Sequence, residues 1–278
     1  MTVPSLFWKS MPCWVKLLLF VLCCCARPAN AAQPATSLTP LAHAHAHNDY
    51  EHARPLLDAL DHGFSSVEAD IFLRDGQLLV AHDARDLSPE RTLERLYLEP
   101  LAARVKANGG RVYKDSPPFW LLIDQKTAAE PTYKALHELL ARYHDILTSV
   151  TDEKLTSRAV TVVISGNRPI DYIKAQPTRY AGVDGRLADL KSDTPAHLMP
   201  MISDNWTLHF AWRGEGVFPS GQLERLHSIA EQAHDRGRVV RFWATPESPR
   251  LWRELRSAGV DLINTDKLSE LRDFLLKK

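Results

Sequence analysis

Short apolar runs recur along this chain with just enough between them for helices and turns, and that rhythm constrains the fold more than any other feature. The runs are Ala42–His47, Ser66–Phe72, Leu78–Ala81, Trp120–Ile123, Val160–Ser165, Tyr180–Val183, Met199–Ile202, Val239–Trp243 and Leu262–Asn264. Each has the length of a buried strand. Between them, helical spacing of apolar residues marks Ala53–His62, Glu90–Asn108, Thr132–Tyr143, Gln222–Arg236, Pro249–Ala258 and Lys267–Leu276. Asp75-Gly76 separates the second and third runs and reads as a hairpin turn. With Leu78–Ala81 set aside as the return of that hairpin, eight strands remain, most followed by a helix. That is the count of a TIM-type (β/α)8 barrel with a small hairpin insertion after the second strand. The helices after the fourth, fifth and sixth strands are short or irregular, so a doubly wound open sheet is the alternative. A chain of 278 residues suits one barrel, for which about 250 residues is typical.

The first thirty residues follow other rules. Met1–Arg27 contain no acidic residue, Lys9 and Lys16 precede an apolar run over Leu17–Ala26, and Ala29-Asn30-Ala31 offers a small-residue cleavage site. This pattern predicts a secretory signal over 1–31, a polar linker over 32–40 and a barrel over 41–278, in a protein exported to the periplasm or the medium. An uncleaved anchor is the other reading of the same run. Cleavage would remove all four cysteines, Cys13, Cys23, Cys24 and Cys25, and leave 31 basic and 34 acidic residues, a net charge of −3. The barrel's chemistry must then come from His, carboxylates and hydroxyls. With no basic excess, nucleic acid is not an expected partner. No Gly-x-Ser-x-Gly elbow and no His-Glu-x-x-His motif occurs.

Barrel enzymes carry their active-site side chains at the C-terminal ends of the strands. Polar residues fall there repeatedly: His47, Glu68 with Asp70, His82, Asp124 with Lys126, Ser165, Asp204, Trp243 and Asp266. Glu68 and Asp70 are two apart, so both face the same side of a strand. Carboxylates gathered inside a barrel repel one another unless a cation or protons neutralise them. Glu68, Asp70 and Asp124 therefore form a candidate site for one hard divalent ion, Mg2+ or Ca2+. His47 and His82 each close a strand and flank these acids in sequence, a pairing suited to proton exchange near neutrality. His47 is preferred to His45 for its spacing to Glu68 and for the Asn-Asp-Tyr that follows. For any of these residues taken singly, a solvated surface role is the ordinary expectation.

Taken together, these motifs resemble a family. His47-Asn48-Asp49-Tyr50, Ser66-Val67-Glu68-Ala69-Asp70, Asp75-Gly76, Val80-Ala81-His82-Asp83, Leu121-Leu122-Ile123-Asp124-Gln125-Lys126 and Gly259-Val260-Asp261-Leu262-Ile263-Asn264-Thr265-Asp266 resemble the glycerophosphodiester phosphodiesterase and PLC-like phosphodiesterase superfamily. His47-Asn48-Asp49-Tyr50, with Pro89-Glu90-Arg91-Thr92-Leu93 and Leu96-Tyr97, is most similar to the branch named for altered inheritance of mitochondria protein 6. The superfamily's usual opening is His-Arg-Gly, so a phosphate-contacting arginine is absent where Asn48 stands, and its third metal ligand is usually Glu where this chain has Asp124.

The resemblance implies metal-dependent cleavage of a glycerophosphodiester or a phospholipid head group. His47 and His82 would act as acid and base, and Lys126 would balance charge on phosphorus. Two alternatives are a lyase-type phospholipase that ends at a cyclic phosphate and a non-catalytic barrel that only binds. Asn48, Arg168 and Trp243 are the candidate substrate contacts; Trp243 could equally be barrel packing, and Ser165 a turn. Asp266, just before a helix, reads as its N-cap. The aromatic-rich stretch Asp204–Gly221 could touch a membrane surface, close over the site or fold back on the barrel.

Overall fold

The computed structural model describes residues 38–277. The expected signal and most of the linker lie outside the described residues. Among the described residues, no helix is long and apolar enough to cross a membrane.

Twelve strands are described: β1 (Leu41–Ala46), β2 (Phe64–Arg74), β3 (Gln77–Val80), β4 (Phe119–Gln125), β5 (Ser149–Thr151), β6 (Lys154–Thr156), β7 (Val160–Gly166), β8 (Thr178–Arg179), β9 (Gly182–Gly185), β10 (Met201–Asn205), β11 (Val239–Trp243) and β12 (Leu262–Thr265). Eight of them run parallel in the order β1, β2, β4, β7, β9, β10, β11, β12. β1 pairs with both β2 and β12, which closes the ring and excludes the open sheet. β3 returns antiparallel along the far end of β2, as the hairpin signal required, with Asp75 and Gly76 both at positive φ.

The helices are α1 (Leu57–Asp61), α2 (Glu99–Ala107), α3 (Ala129–Ala141), α4 (Ile170–Lys174), α5 (Trp206–His209), α6 (Ser220–His234), α7 (Pro249–Ser257) and α8 (Leu268–Leu276). The period of two decides which side chains meet them. On β2, Val67, Ala69 and Ile71 are fully buried in the main core, whereas Glu68 and Asp70 line the cavity at the top of the barrel. A second apolar cluster, Leu122, Val163, Met201 and Leu262, comes from four different barrel strands. α7 has the strongest local start, with Pro249 in its first turn and the Ser248 hydroxyl accepting from Leu251 N at 3.3 Å.

Two elements differ from expectation. The single helix expected over Glu90–Asn108 is a π-turn at Glu94–Leu98 leading into α2, and Pro100 explains the change because it offers no N–H to the preceding turn. A small antiparallel sheet of β5, β6 and β8 was not expected. Its hairpin turns on Asp152 and Glu153, both at positive φ, without the glycine that normally marks such a turn. In the stretch Asp204–Gly221, Trp206, Phe210, Trp212 and Phe218 are buried. Trp206 stacks on Phe210 and Trp212 on Phe218, each pair with ring centroids 4.2 Å apart, and Trp206 meets Phe242 of β11 edge-on. These aromatics fold back on the barrel; Leu208 and Val217 are the exposed large apolar residues of the stretch.

A buried carboxyl organises the loop after β1. Asp49 Oδ2 accepts from Leu56 N at 2.5 Å and from the Tyr97 hydroxyl at 2.9 Å, while Oδ1 is buried without a partner among the described residues. Burial outweighs those two bonds and pushes the Asp49 carboxyl up to about 7. The folded state therefore holds this proton across a range where the unfolded chain releases it. Its contribution to stability is complete below about pH 4 and is lost as pH rises through about 7. Urea unfolding at pH 5 and pH 8 should show wild type losing stability relative to Asp49→Asn across that interval, and parallel curves would refute the assignment.

Candidate active site

Strand register builds the site. Asp70 on β2 lies opposite Asp124 on β4, which lies opposite Ser165 on β7, so three adjacent strands present polar residues at one level. Glu68 sits two residues deeper on β2. His47 follows β1, where its N–H donates to Thr265 O of β12 at 3.0 Å. His82 follows β3, which the hairpin brings back beside Asp70, where Ala81 N donates to Asp70 O at 3.3 Å. Of the nine residues picked from sequence, all but Arg168 line one cavity of about 270 Å3 at this end of the barrel, joined by Ser165, Gly166, Arg186 and Arg241.

Glu68, Asp70 and Asp124 each offer a carboxylate oxygen within 4.8 Å of the others. Such proximity needs compensating charge. Arg241, buried on β11, reaches across the barrel to Glu68 Oε2 at 2.5 Å and is held by Asn264 Oδ1 at 2.6 and 2.9 Å. Burial alone would raise the Glu68 pKa, but Arg241 and His45 hold it well below the usual carboxylate range. Lys126 Nζ lies 2.9 Å from Asp70 Oδ2 and 3.3 Å from Asp124 Oδ1. Even so, burial and the Glu68 charge push Asp70 up to about 6, and burial raises Asp124 as well. Asp70 Oδ1 is buried and has no hydrogen-bond partner among the described residues. The cluster thus carries more negative charge than its two cations offset.

The histidines are placed differently from each other. His45 is fully buried, with Nδ1 2.7 Å from Ser66 Oγ and Nε2 3.4 Å from Glu68 Oε2, and burial beside Arg241 lowers it to about 3. It is a neutral prop for Glu68, and His47 is the residue that reaches the cavity. His47 Nδ1 donates to Asp266 Oδ1 at 2.8 Å. Burial opposes protonation of His47, but the Asp266 bond and the Glu68 charge raise it overall. His82 Nδ1 lies 2.9 Å from the Tyr50 hydroxyl. In both rings the Nδ1 side is engaged, so Nε2 is the nitrogen left for a ligand.

Residues 35–183 match the family described as the AIM6-like phosphodiesterase domain, more than half of the chain. The chain belongs to the AIM6-like phosphodiesterase family. Residues 239–269 of this AIM6-like chain also match the glycerophosphoryl diester phosphodiesterase family. Altered inheritance of mitochondria protein 6 of Eremothecium gossypii is 31% identical over 84% of this chain and 69% of that protein. A homolog of that protein from Arthroderma benhamiae is 29% identical over 83% and 82%. Solved glycerophosphodiester phosphodiesterases from Parabacteroides distasonis and Agrobacterium tumefaciens superimpose with TM-scores of 0.50 at 16% and 15% identity. They cover 85% and 84% of this chain and 98% and 99% of their own lengths, and at that identity they show the shared TIM barrel.

Two sequence expectations need correction in this AIM6-like barrel. Arg168 is not among the residues that line the cavity; its guanidinium donates to the main-chain oxygen of Asp184. The arginine that lines the wall is Arg186, whose Nη1 donates to Asp184 Oδ2 at 2.7 Å. Asp266 does not cap α8, which has Lys267 at its N-cap and no side-chain bond there; instead it backs His47. Arg241, Arg186 and Tyr50 were missed. A charged residue at an alternate position within Val239–Trp243 was the available signal for Arg241; Tyr50 stood in the His47-Asn48-Asp49-Tyr50 motif without a role of its own, and Arg186 carried no signal outside three dimensions.

Gly166 ends β7 at a φ of +65°, and a Cβ there would lie 2.2 Å from Asp124 Oδ1 and 2.6 Å from Gln125 O. Only the absence of a side chain lets the Asp124 carboxylate take its place. Gly166→Ala is expected to destabilise the barrel by about 1–3 kcal/mol, from left-handed strain plus displacement of Asp124. Urea or thermal unfolding checks it, and an unchanged stability would mean that Asp124 is not held where described.

Proposed function

We propose that this AIM6-like chain cleaves phosphodiesters, with one divalent cation held by Glu68, Asp70 and Asp124 and with His47 and His82 as its acid–base pair. The observation that carries the reading is the convergence of three carboxylates and two histidines, each engaged through Nδ1, on one small polar cavity.

The donor set suits a hard cation, because all three ligands are carboxylate oxygens. The unpartnered buried Asp70 Oδ1 and the raised pKa values of Asp70 and Asp124 are what an unneutralised anionic cluster produces. Mg2+ and Ca2+ both satisfy these terms. When bound, such an ion supplies Lewis-acid polarisation of a phosphate oxygen.

The chain's own residues do the rest. Lys126, paired with both aspartates, supplies fixed positive charge where negative charge builds on phosphorus. Arg186 offers a second cation on the cavity wall, and Trp243 an apolar face for the group beyond the phosphate. One histidine takes the proton of the attacking hydroxyl through Nε2 and the other returns a proton to the leaving alcohol oxygen. Asp266 favours the imidazolium form of His47, which suits it to hold a proton during the reaction. Glycerophosphodiesters and phospholipid head groups are the substrate classes the resemblance supports. The basic-then-apolar N-terminal stretch supports export.

The test is turnover of bis(p-nitrophenyl) phosphate and glycerophosphocholine after EDTA treatment and after return of Mg2+ or Ca2+. Activity should vanish with EDTA, return with one of the ions, and stay absent in Asp70→Ala. His47→Ala and His82→Ala should each lose at least about 100-fold in kcat. Turnover insensitive to EDTA, or a His82→Ala variant near wild-type rate, would sink the reading.

A further inference from the structure

Tyr50 was picked out in the sequence only as part of a motif, yet its hydroxyl meets three polar partners beside the cavity. It lies 2.6 Å from Asp70 Oδ2, 2.9 Å from His82 Nδ1 and 2.8 Å from Asn48 Oδ1, and the residue is 2% exposed. A phenol has one proton to give and lone pairs to receive with. The shortest contact and the best acceptor are both at the Asp70 carboxylate, so the O–H donates there. The phenol oxygen is then an acceptor, and the partner able to donate to it from the histidine side is His82 Nδ1–H. The Tyr50 and His82 rings also lie nearly parallel, 16° apart.

We propose that Tyr50 is the positioning residue for His82: its phenol oxygen holds the His82 proton on Nδ1 and so keeps Nε2 free, facing the cavity. The proposal rests on the phosphodiesterase reading for what His82 does, but not for how His82 is held. A plain imidazole in water distributes its proton between two nitrogens, and a base that must accept on Nε2 gains from having one tautomer imposed. His47 receives that service from a carboxylate, Asp266; His82 receives it from a phenol that is itself fixed by a carboxylate of the acidic cluster.

The backbone makes this placement rigid. Asn48 adopts the left-handed conformation that Asn tolerates, at φ 46°, and turns the chain so that Tyr50 points back under β2 and β3. Arg91 clamps the two segments together: its guanidinium donates to Tyr50 O at 2.5 Å, and its carbonyl accepts from Val80 N, two residues before His82, at 2.7 Å. The Asn48 amide also lies 3.0 Å from His47 Nδ1, so one short turn touches both histidines. The phenol–Asp70 bond ties the presentation of His82 to the carboxylate that would hold the cation.

The deciding experiment is 15N NMR of the histidine-labelled full chain with saturating Mg2+ at about pH 8.5, above the ordinary imidazole range. The His82 resonances are assigned by their loss in His82→Gln. Wild type should show His82 protonated on Nδ1 and bare on Nε2, and Tyr50→Phe, which keeps the ring, should move it to a mixture of tautomers. On bis(p-nitrophenyl) phosphate, Tyr50→Phe should lower kcat by about 10- to 100-fold with KM within about threefold.

A wild-type His82 carrying its proton on Nε2 overturns the proposal even if Tyr50→Phe does not fold. So does an unchanged His82 spectrum in Tyr50→Phe, or a kcat loss that higher Mg2+ fully restores, which would place Tyr50 in support of Asp70 alone. If wild type shows the Nδ1–H tautomer but cleaves no phosphodiester, the positioning role stands and the functional reading falls.

Discussion

The site depends on a single ion pair drawn across the inside of the barrel. Arg241 on β11 and Glu68 on β2 belong to strands that are not neighbours, and both side chains are almost fully buried. Taking two charges out of water is costly, and removing one partner of such a pair typically costs about 3–5 kcal/mol because the other is left buried alone. Here the pair also has electrostatic consequences above it. Burial first, and then the charge of ionised Glu68, raises Asp70 and Asp124 toward protonation, so the mouth holds carboxylates whose charge is not fully compensated. Asn264 fixes the Arg241 fork and His45 stays neutral beside Glu68, so the deep layer is rigid and has a settled charge. The chemistry proposed for the mouth is anchored to that layer.

Above it, the two histidines are supported by different devices for the same end. Asp266 follows β12 and reaches His47 across the barrel seam, where β1 and β12 pair; Tyr50 follows β1 and reaches His82 beneath the hairpin. Both therefore depend on elements flanking β1, the strand whose double pairing closes the ring. Asp49 fixes the same turn from the other side, through Leu56 and Tyr97. Closure of the barrel and orientation of the two histidines are in this sense one structural event, made by the few residues from His47 to Leu56.

Where sequence reasoning succeeded and failed follows from which interactions are local. β2 could be read because period-two alternation is imposed by its own backbone, and Glu68 and Asp70 came with it. The Asp75-Gly76 hairpin could be read because positive φ at both positions leaves few residue choices. The Asp152-Glu153 hairpin satisfies the same conformation without glycine and left no mark. Arg168 and Arg186 differ only in where their strands end and which carbonyls lie near, so no pattern along the chain separates them. Asp266 has the sequence position of an N-cap, and only the approach of His47 from the far end of the chain gives it another partner. Tertiary hydrogen bonds, rather than secondary structure, are what the sequence concealed.

That division bears on what family membership transmits. The two family matches span 35–183 and 239–269, and between them they hold both histidines, the three acids, Lys126, Arg241, Trp243 and Asp266. The intervening stretch, 184–238, lies in neither match and contributes Arg186, Asp204 and the folded-back aromatic segment to the same end of the barrel. Groups that touch phosphorus are constrained by a geometry common to any phosphodiester. Groups that meet whatever lies beyond the phosphate are free to change with it. The cation that faces the cavity from this stretch, Arg186, is held by Asp184 and by backbone oxygens and not by the acidic cluster. The β9–β10 side of the mouth is thus the part of the cavity wall that comes from outside both family matches.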